Sequence, residues 1–338
     1  MKDKSKELKT DDKLKGVDPL HSTRLKDLGG LTYSDGHPLH EIQYLQCKII
    51  LKGERFTSVQ SFHEYGKLVR QAAEKAKIGY DTTGFEKMRP KIREILFIDT
   101  KDFKLYSNSF ILRRRLAYED GFPSGEPEVV FKFRHDDMQT ASMTDVRPNI
   151  GAAYKVKFKT ELLPLKDKLG GYRKLYSHNV QFPMSAIPDD HLNINIAMTG
   201  RVQAFEVKEE LSMSSLVNVL PALQQLHLSD AEMRVGFVNH TAVEEVLMDI
   251  GRLDFGKDVT PTANVAVWRT RGDQRQLVGE FAFQCKFEKL NELHSKAMVR
   301  VNEFFNALQF MSSSWISLGT TKTGALYRIK GSQPSSHE

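Results

Sequence analysis

Cations recur at every second position in three successive segments of this 338-residue chain. Phe110 to Glu119 alternates Arg113, Arg115 and Glu119 with Phe110, Leu112 and Leu116. Glu128 to Asp136 sets Lys132 and Arg134 against Val129, Phe131 and Phe133, and Tyr154 to Leu162 sets Lys155, Lys157, Lys159 and Glu161 against Tyr154, Val156 and Phe158. Successive residues of a strand point to opposite faces, so each segment has one apolar and one basic face. A solvated sheet normally mixes charges of both signs, because like charges facing one another across a ladder are destabilising. Rows of cations with few acids among them are tolerable when an anion lies between them. Arg grips phosphate oxygens with a two-pronged fork, and Lys supplies a movable point charge.

Other segments extend the pattern. Ile42 to Lys52 places Tyr44, Gln46 and Lys48 on one face and Leu45, Cys47 and Ile49 on the other. Arg201 to Leu211 offers Glu206, Lys208 and Glu210, and Gly279 to Glu288 offers Glu280, Gln284, Lys286 and Glu288. The triplet Gln46-Cys47-Lys48 has an echo in Gln284-Cys285-Lys286. A sheet closed with its polar faces inward makes a basic tunnel, an open one makes a basic groove, and the same rows could also be solvated faces whose acidic partners sit on helices.

Amphipathic helices must cover the apolar faces. Thr57 and Gln60 form a capping box before a helix from Ser58 to about Lys77. Asn291 to Phe310 carries Leu293, Ala297, Val301, Phe304, Phe305 and Leu308 along one stripe, and Ser214 to Leu226 is helical with a break at Pro221. The remainder alternates with period two in many short runs. The expected fold is therefore α+β, mostly antiparallel β, a closed barrel or strongly curved sheet with helices packed outside. Residues 1–27 are dense in Lys without periodicity and read as a disordered charged tail. No apolar run reaches the roughly 20 residues that cross a bilayer, and two cysteines build neither a disulfide framework nor a four-thiolate metal site. A cytoplasmic protein with no membrane span is expected. The net charge of +6 matters only through where its cations sit.

The segment Ile95 to Arg115, ILFIDTKDFKLYSNSFILRRR, resembles the signature of the triphosphate tunnel metalloenzyme superfamily. In that signature an aromatic-rich strand ends in Asp-Thr, a short turn follows, and a second strand ends in Leu-Arg-x-Arg. Phe97, Asp99, Thr100, Asp102, Leu105, Tyr106, Leu112, Arg113 and Arg115 carry the match. The superfamily includes CYTH-domain triphosphatases, class IV adenylyl cyclases and polyphosphate polymerase domains of the vacuolar transporter chaperone type. The stretch at about 164–200, rich in Gly, Pro, Asn and Asp, reads as a loop-rich insertion, and the resemblance implies one CYTH-like barrel domain over 28–338 around it. It also implies a triphosphate or inorganic polyphosphate ligand, and hydrolysis or phosphoryl transfer assisted by Mg²⁺ or Mn²⁺. Lys48, Arg113, Arg115, Lys132, Arg134, Lys155, Lys157 and Lys208, on expected basic faces, are then the candidates to bind phosphate, and Glu206, Glu245, Asp249 and Glu280, on expected polar faces, either hold the metal or pair with a tunnel Lys or Arg.

The chain departs from the family where the metal should be. Such proteins open with Glu-x-Glu-x-Lys, whereas Tyr44, Gln46 and Lys48 keep only the lysine. The late strand reads Glu280, Ala282, Gln284 and keeps one of its alternating glutamates. Glutamine offers an oxygen but no charge to balance a hard cation. Phosphate binding is thus better supported than catalysis, and a metal-dependent phosphohydrolase or transferase stands beside a non-catalytic polyanion-binding module. A nucleic-acid binder with an open groove is the less favoured third class.

Three other features are set aside. Gly251 to Asp258 nearly spells a phosphate loop but lacks its Ser/Thr and a following helix. His37 and His40 read as surface histidines in a Gly/Pro loop, and Cys47 and Cys285 as buried, inert thiols on apolar faces.

Overall fold

A computed structural model describes residues 16–26, 28–187, 211–228, 234–331 and 334 of the chain, with side chains in the third stretch described from 216 onward. Its strands are β1 (Tyr44–Leu51), β2 (Gly79–Asp81), β3 (Lys91–Thr100), β4 (Phe110–Glu119), β5 (Phe122–His135), β6 (Lys155–Leu163), β7 (Arg173–Pro183), β8 (Leu211–Ser212), β9 (Arg234–Asp254), β10 (Thr262–Thr270) and β11 (Gln276–Lys286). Nine of them close a barrel in the order β10-β11-β1-β6-β7-β5-β4-β3-β9, with β9 pairing back to β10. Every neighbour in the wall is antiparallel except β1 and β6. The short β2 and β8 hang on β9 outside this ring.

Period-two alternation is what makes the wall two-faced. In β1, Leu45, Cys47, Ile49 and Leu51 are fully buried on the outer face, under helices α1 (Val59–Lys75) and α2 (Ser295–Met311). The α1 stripe of Phe62, Tyr65, Val69 and Ala72 meets the α2 stripe of Val301, Phe304, Phe305 and Leu308 in one apolar core. Tyr65 lies 5.7 Å from Phe281 and Phe304 lies 5.8 Å from Phe283, ring centroid to ring centroid, which fastens both helices to the outside of β11. Helices outside and strands inside follow the sequence expectation.

A second, smaller cluster lies within the barrel. Ile50, Phe97, Val243, Trp268 and Val278 pack there on Tyr106 and on Leu326 and Tyr327 of the short helix α3 (Lys322–Tyr327). One end of the lumen is thereby plugged with apolar side chains. Towards the other end exposure rises, reaching 67% for the Lys91 side chain and 42% for Glu128.

Several boundaries differ from the sequence expectation. The presumed loop-rich insertion at 164–200 contains β7, a full wall strand, and its residues from 188 on lie outside the described ones. Strand β9, which carries Glu245 and Asp249, runs from Arg234 to Asp254, long enough to pair with both β3 and β10. Within the presumed tail, 1–15 lie outside the described residues, whereas Leu20 and Thr23 are buried and Arg24 donates to the Leu293 carbonyl at 2.7 Å. Helix α1 takes Ser58 as its N-cap, one residue after the expected Thr57. A helix over Met213–Val219 stops before Pro221, which opens a 3₁₀ turn as the proline requires. After α2 the chain adds a bridge from Ile316 to Leu51 of β1. The near phosphate loop is the turn joining β9 to β10, with Gly256, Lys257 and Asp258 all at positive φ. Among the described residues no helix is long and apolar enough to cross a membrane.

Candidate functional site

The basic faces of the strands point into the lumen. Lys132 on β5 reaches Glu161 on β6 at 3.4 Å across the intervening β7. Lys159 on β6 reaches Gln284 on β11 at 2.7 Å across β1. Contacts that skip a strand are made only across a concave interior. The register places Arg113 beside Phe97 and Val130, and Lys157 opposite Asn179. Lys48, Arg113, Arg115, Lys132, Arg134, Lys155 and Lys157 therefore share one cavity, with Lys155 exposed at its open end. Lys208 and Glu206 lie outside the described residues.

Glu161 is the hub of this charge. It is fully buried, with Lys48 at 2.8 Å, Lys132 at 3.4 Å and Arg134 at 3.6 Å. Burial alone would raise its proton affinity, but Lys132, Lys48 and Arg134 together hold the carboxyl well below the usual carboxylate range. One carboxylate balances three cations, so the cluster keeps a positive excess. Other cations have no carboxylate within ion-pair distance among the described residues. Arg113 and Lys157, and also Arg173 at the start of β7, form no ion pair with a described residue. The Nε atoms of Arg113 and Arg173 are buried without a hydrogen-bond partner. The Arg113 guanidinium lies over the Phe97 ring, 5.9 Å from its centroid, and burial followed by the charge of Arg115 lowers its proton affinity. Lys159 Nζ has two amide oxygens instead, Gln284 Oε1 at 2.7 Å and Gln46 Oε1 at 3.3 Å. Burial, and next the charge of Lys48, push that ammonium down to about 7.

Of the acids expected from sequence to hold a metal or pair with a cation, the three described ones, Glu245, Asp249 and Glu280, are paired with the chain's own cations. Glu245 accepts from Trp268 Nε1 at 2.9 Å and Lys322 Nζ at 3.1 Å through Oε1, and from Arg93 Nε at 2.7 Å through Oε2. Burial works against its ionised form, yet Lys322, Arg93 and Arg115 hold it far below the usual carboxylate range. Glu280 pairs with the same Lys322 at 2.9 Å, and Asp249 pairs near the rim with Lys91 at 3.1 Å. Among the described residues no group of three or more His, Cys, Asp or Glu side chains is placed to hold a metal ion. Mg²⁺ or Mn²⁺ demands several oxygens at close range, and here an ammonium or guanidinium already fills the space in front of each carboxylate. The described residues do not fit such an ion.

The locally specific hairpin proves structural. Asp99 accepts from the backbone N–H of Thr100, Leu105 and Tyr106 at 2.7, 2.9 and 3.0 Å and from the Tyr327 hydroxyl at 2.9 Å. Tyr106 stacks on Tyr327 with centroids 4.1 Å apart. This Asp-Thr turn thus fastens the plug, while only the Arg113 and Arg115 end of the motif reaches the cavity. Sequence reasoning passed over Arg93 and Arg173. Arg93 shares the face of Ile95 and Phe97, so alternation could have found it, whereas Arg173 was hidden with β7. Cys47 and Cys285 are buried free thiols as expected. His37 is exposed, but His40 is no surface residue: its Nδ1 lies 3.0 Å from Nε2 of buried His178, and burial pushes it down to about 4.

No family model matches the chain, and no curated protein does. Solved structures similar to it include a candidate adenylyl cyclase from Hippeastrum, described as having a dominant triphosphatase activity. That protein is 11% identical, with 88% of this chain and 100% of the other covered at a TM-score of 0.37. A candidate adenylate cyclase from Bacillus halodurans is 12% identical, with 83% and 95% covered at 0.36. The PH1819 protein from Pyrococcus horikoshii is 10% identical, with 78% and 89% covered at 0.33. The closed barrel itself, with cations lining its lumen, is the architecture that the hairpin resemblance implies.

Proposed function

We propose that the chain is a divergent triphosphate-tunnel protein that binds a linear triphosphate or polyphosphate in its basic lumen and holds it without hydrolysing it. The observation that carries this reading is the surplus of inward cations: Glu161 serves three, and Arg113, Lys157, Lys159 and Arg173 have no carboxylate partner among the described residues. A row of phosphates supplies the missing negative charge and the hydrogen-bond acceptors together. Hydrolysis would need a base near neutrality or an ion to gather developing charge. Glu161 and Glu245 are too weakly basic for the first role, Lys159, which does titrate near neutrality, is kept in its cationic form by a bound anion, and no metal fits the described acids. Nucleic acid is disfavoured because Phe110, Phe131 and Phe133 are buried in the outer core and cannot stack on bases. Free buried thiols suit a reducing, cytoplasmic setting.

Calorimetric titration with inorganic tripolyphosphate, repeated with single-stranded RNA as competitor and followed by a phosphate-release assay, tests this reading. Binding that weakens with salt, resists RNA and releases no phosphate is expected. Release of phosphate would make the chain an enzyme, and absence of binding would remove the basic-lumen account.

Lys159 gives the site a pH dependence. It is cationic below about 7 and neutral above, and a bound anion favours the cation. Tripolyphosphate affinity relative to that of Lys159→Met is therefore expected to fall by up to roughly tenfold between about pH 6 and pH 8, the worth of one charge-assisted hydrogen bond. The ratio cancels the ligand's own ionisation, and a ratio flat with pH would show that Lys159 does not touch the ligand.

A further inference from the structure

We infer that the lumen takes its oligophosphate free of metal, because Lys322 stands between the two acids a divalent ion would bridge and Lys159 stands between two glutamines. This rests on the reading of the lumen as an oligophosphate site and adds the form of ligand it accepts. Lys322 Nζ lies 3.1 Å from Glu245 Oε1 and 2.9 Å from Glu280 Oε1, so one ammonium spans both carboxylates. The other oxygen of Glu245 is taken by Arg93. Mg²⁺ binds its oxygens at about 2.0–2.1 Å, so it could enter only after the ammonium had left, and it would enter a cavity already rich in cations. Lys322 is not free to leave. It opens α3, whose cap Thr321 accepts from Gly324 N at 3.0 Å and whose Leu326 and Tyr327 are fully buried in the plug. Its Nζ also sits 4.9 Å from the centroid of the Trp268 ring.

The second substitution is independent of the first. Gln46 and Gln284 face each other across β1 and β11, and both amide oxygens turn to Lys159 Nζ. Amide oxygens solvate an ammonium without cancelling its charge. At both places an ammonium of the chain is held by side-chain oxygens, and Lys159, which has no carboxylate partner among the described residues, remains open to a phosphate. The uncomplexed polyanion carries the most negative charge and so binds best. Mg²⁺ then competes with the protein for the ligand instead of bridging the two.

Two measurements on the full chain decide this. Tripolyphosphate affinity is expected to be several-fold weaker in excess Mg²⁺ than in EDTA, and electron paramagnetic resonance of Mn²⁺ is expected to show no bound ion in the wild-type protein. Lys322→Met, which frees Glu245 and Glu280, is expected to gain Mn²⁺ binding. Tighter tripolyphosphate binding with Mg²⁺, or Mn²⁺ bound by the wild type, would overturn the inference, and these wild-type results stand even if the variant does not fold. Loss of tripolyphosphate binding in both buffers would instead overturn the oligophosphate reading, while the Mn²⁺ spectrum would still decide whether the acids are closed to metal.

Discussion

Replacing Glu161 by glutamine is expected to lower the thermal unfolding midpoint by roughly 4–7 °C, and saturating tripolyphosphate is expected to restore most of that loss. Glu161 is fully buried and is the carboxylate within reach of Lys48, Lys132 and Arg134. Glutamine keeps its shape and removes its charge, leaving three neighbouring cations to repel one another in a cavity of low dielectric. Breaking a buried ion pair by neutralising one partner costs about 3–5 kcal/mol, which for a chain of this size corresponds to the stated shift. An anion that binds the folded state alone stabilises it by mass action, so the ligand should raise the midpoint of Glu161→Gln more than that of the wild type. The variant should also bind tripolyphosphate more tightly, because it has lost an internal competitor for the same cations. Differential scanning calorimetry with and without ligand reads both effects. An unchanged midpoint would show that the cluster is not held by this charge.

Arg113→Met should do the reverse. Arg113 has no carboxylate partner among the described residues, its Nε is buried without an acceptor, and Arg115 and Arg93 repel it. Methionine fills similar space against Phe97 without charge, so the midpoint should hold or rise by a few degrees. Tripolyphosphate affinity should fall at least about tenfold, since a hydrogen bond to an ionised group contributes roughly 1.5–3 kcal/mol. Stability and binding moving in opposite directions is the mark of a cation kept for a ligand. A structural arginine would lose stability and leave affinity untouched, and that pattern would contradict the assignment.

Much of this cavity was legible in the sequence because side-chain parity along a strand is a local property. Lys48, Arg113, Lys132 and Lys157 fell on basic faces by alternation alone, and the structure brings those faces together. Closure was not legible in the same way. It depends on β9 pairing with both β3 and β10, which is a non-local choice, and on β7, whose Ser177, Asn179 and Gln181 line the lumen with neutral polar groups. Between Gly171 and Pro183 those residues blurred the alternation and hid the strand. The echo of Gln46 and Gln284 was visible without its meaning, for the register now sets the two residues opposite each other around Lys159. Lys322 closes the order of elements that the resemblance implies, but its carboxylate partners on β9 and β11 could not be read from sequence, since the lysine itself opens a helix.

The most direct test of the central claim is a crystal structure of the chain grown with tripolyphosphate. The account predicts density for a linear phosphate chain inside the barrel, with oxygens in hydrogen-bond range of Arg113, Lys157 and Lys159 and no metal between Glu245 and Glu280. Phosphate density confined to the outer surface, with the lumen side chains paired as they are without ligand, would contradict it.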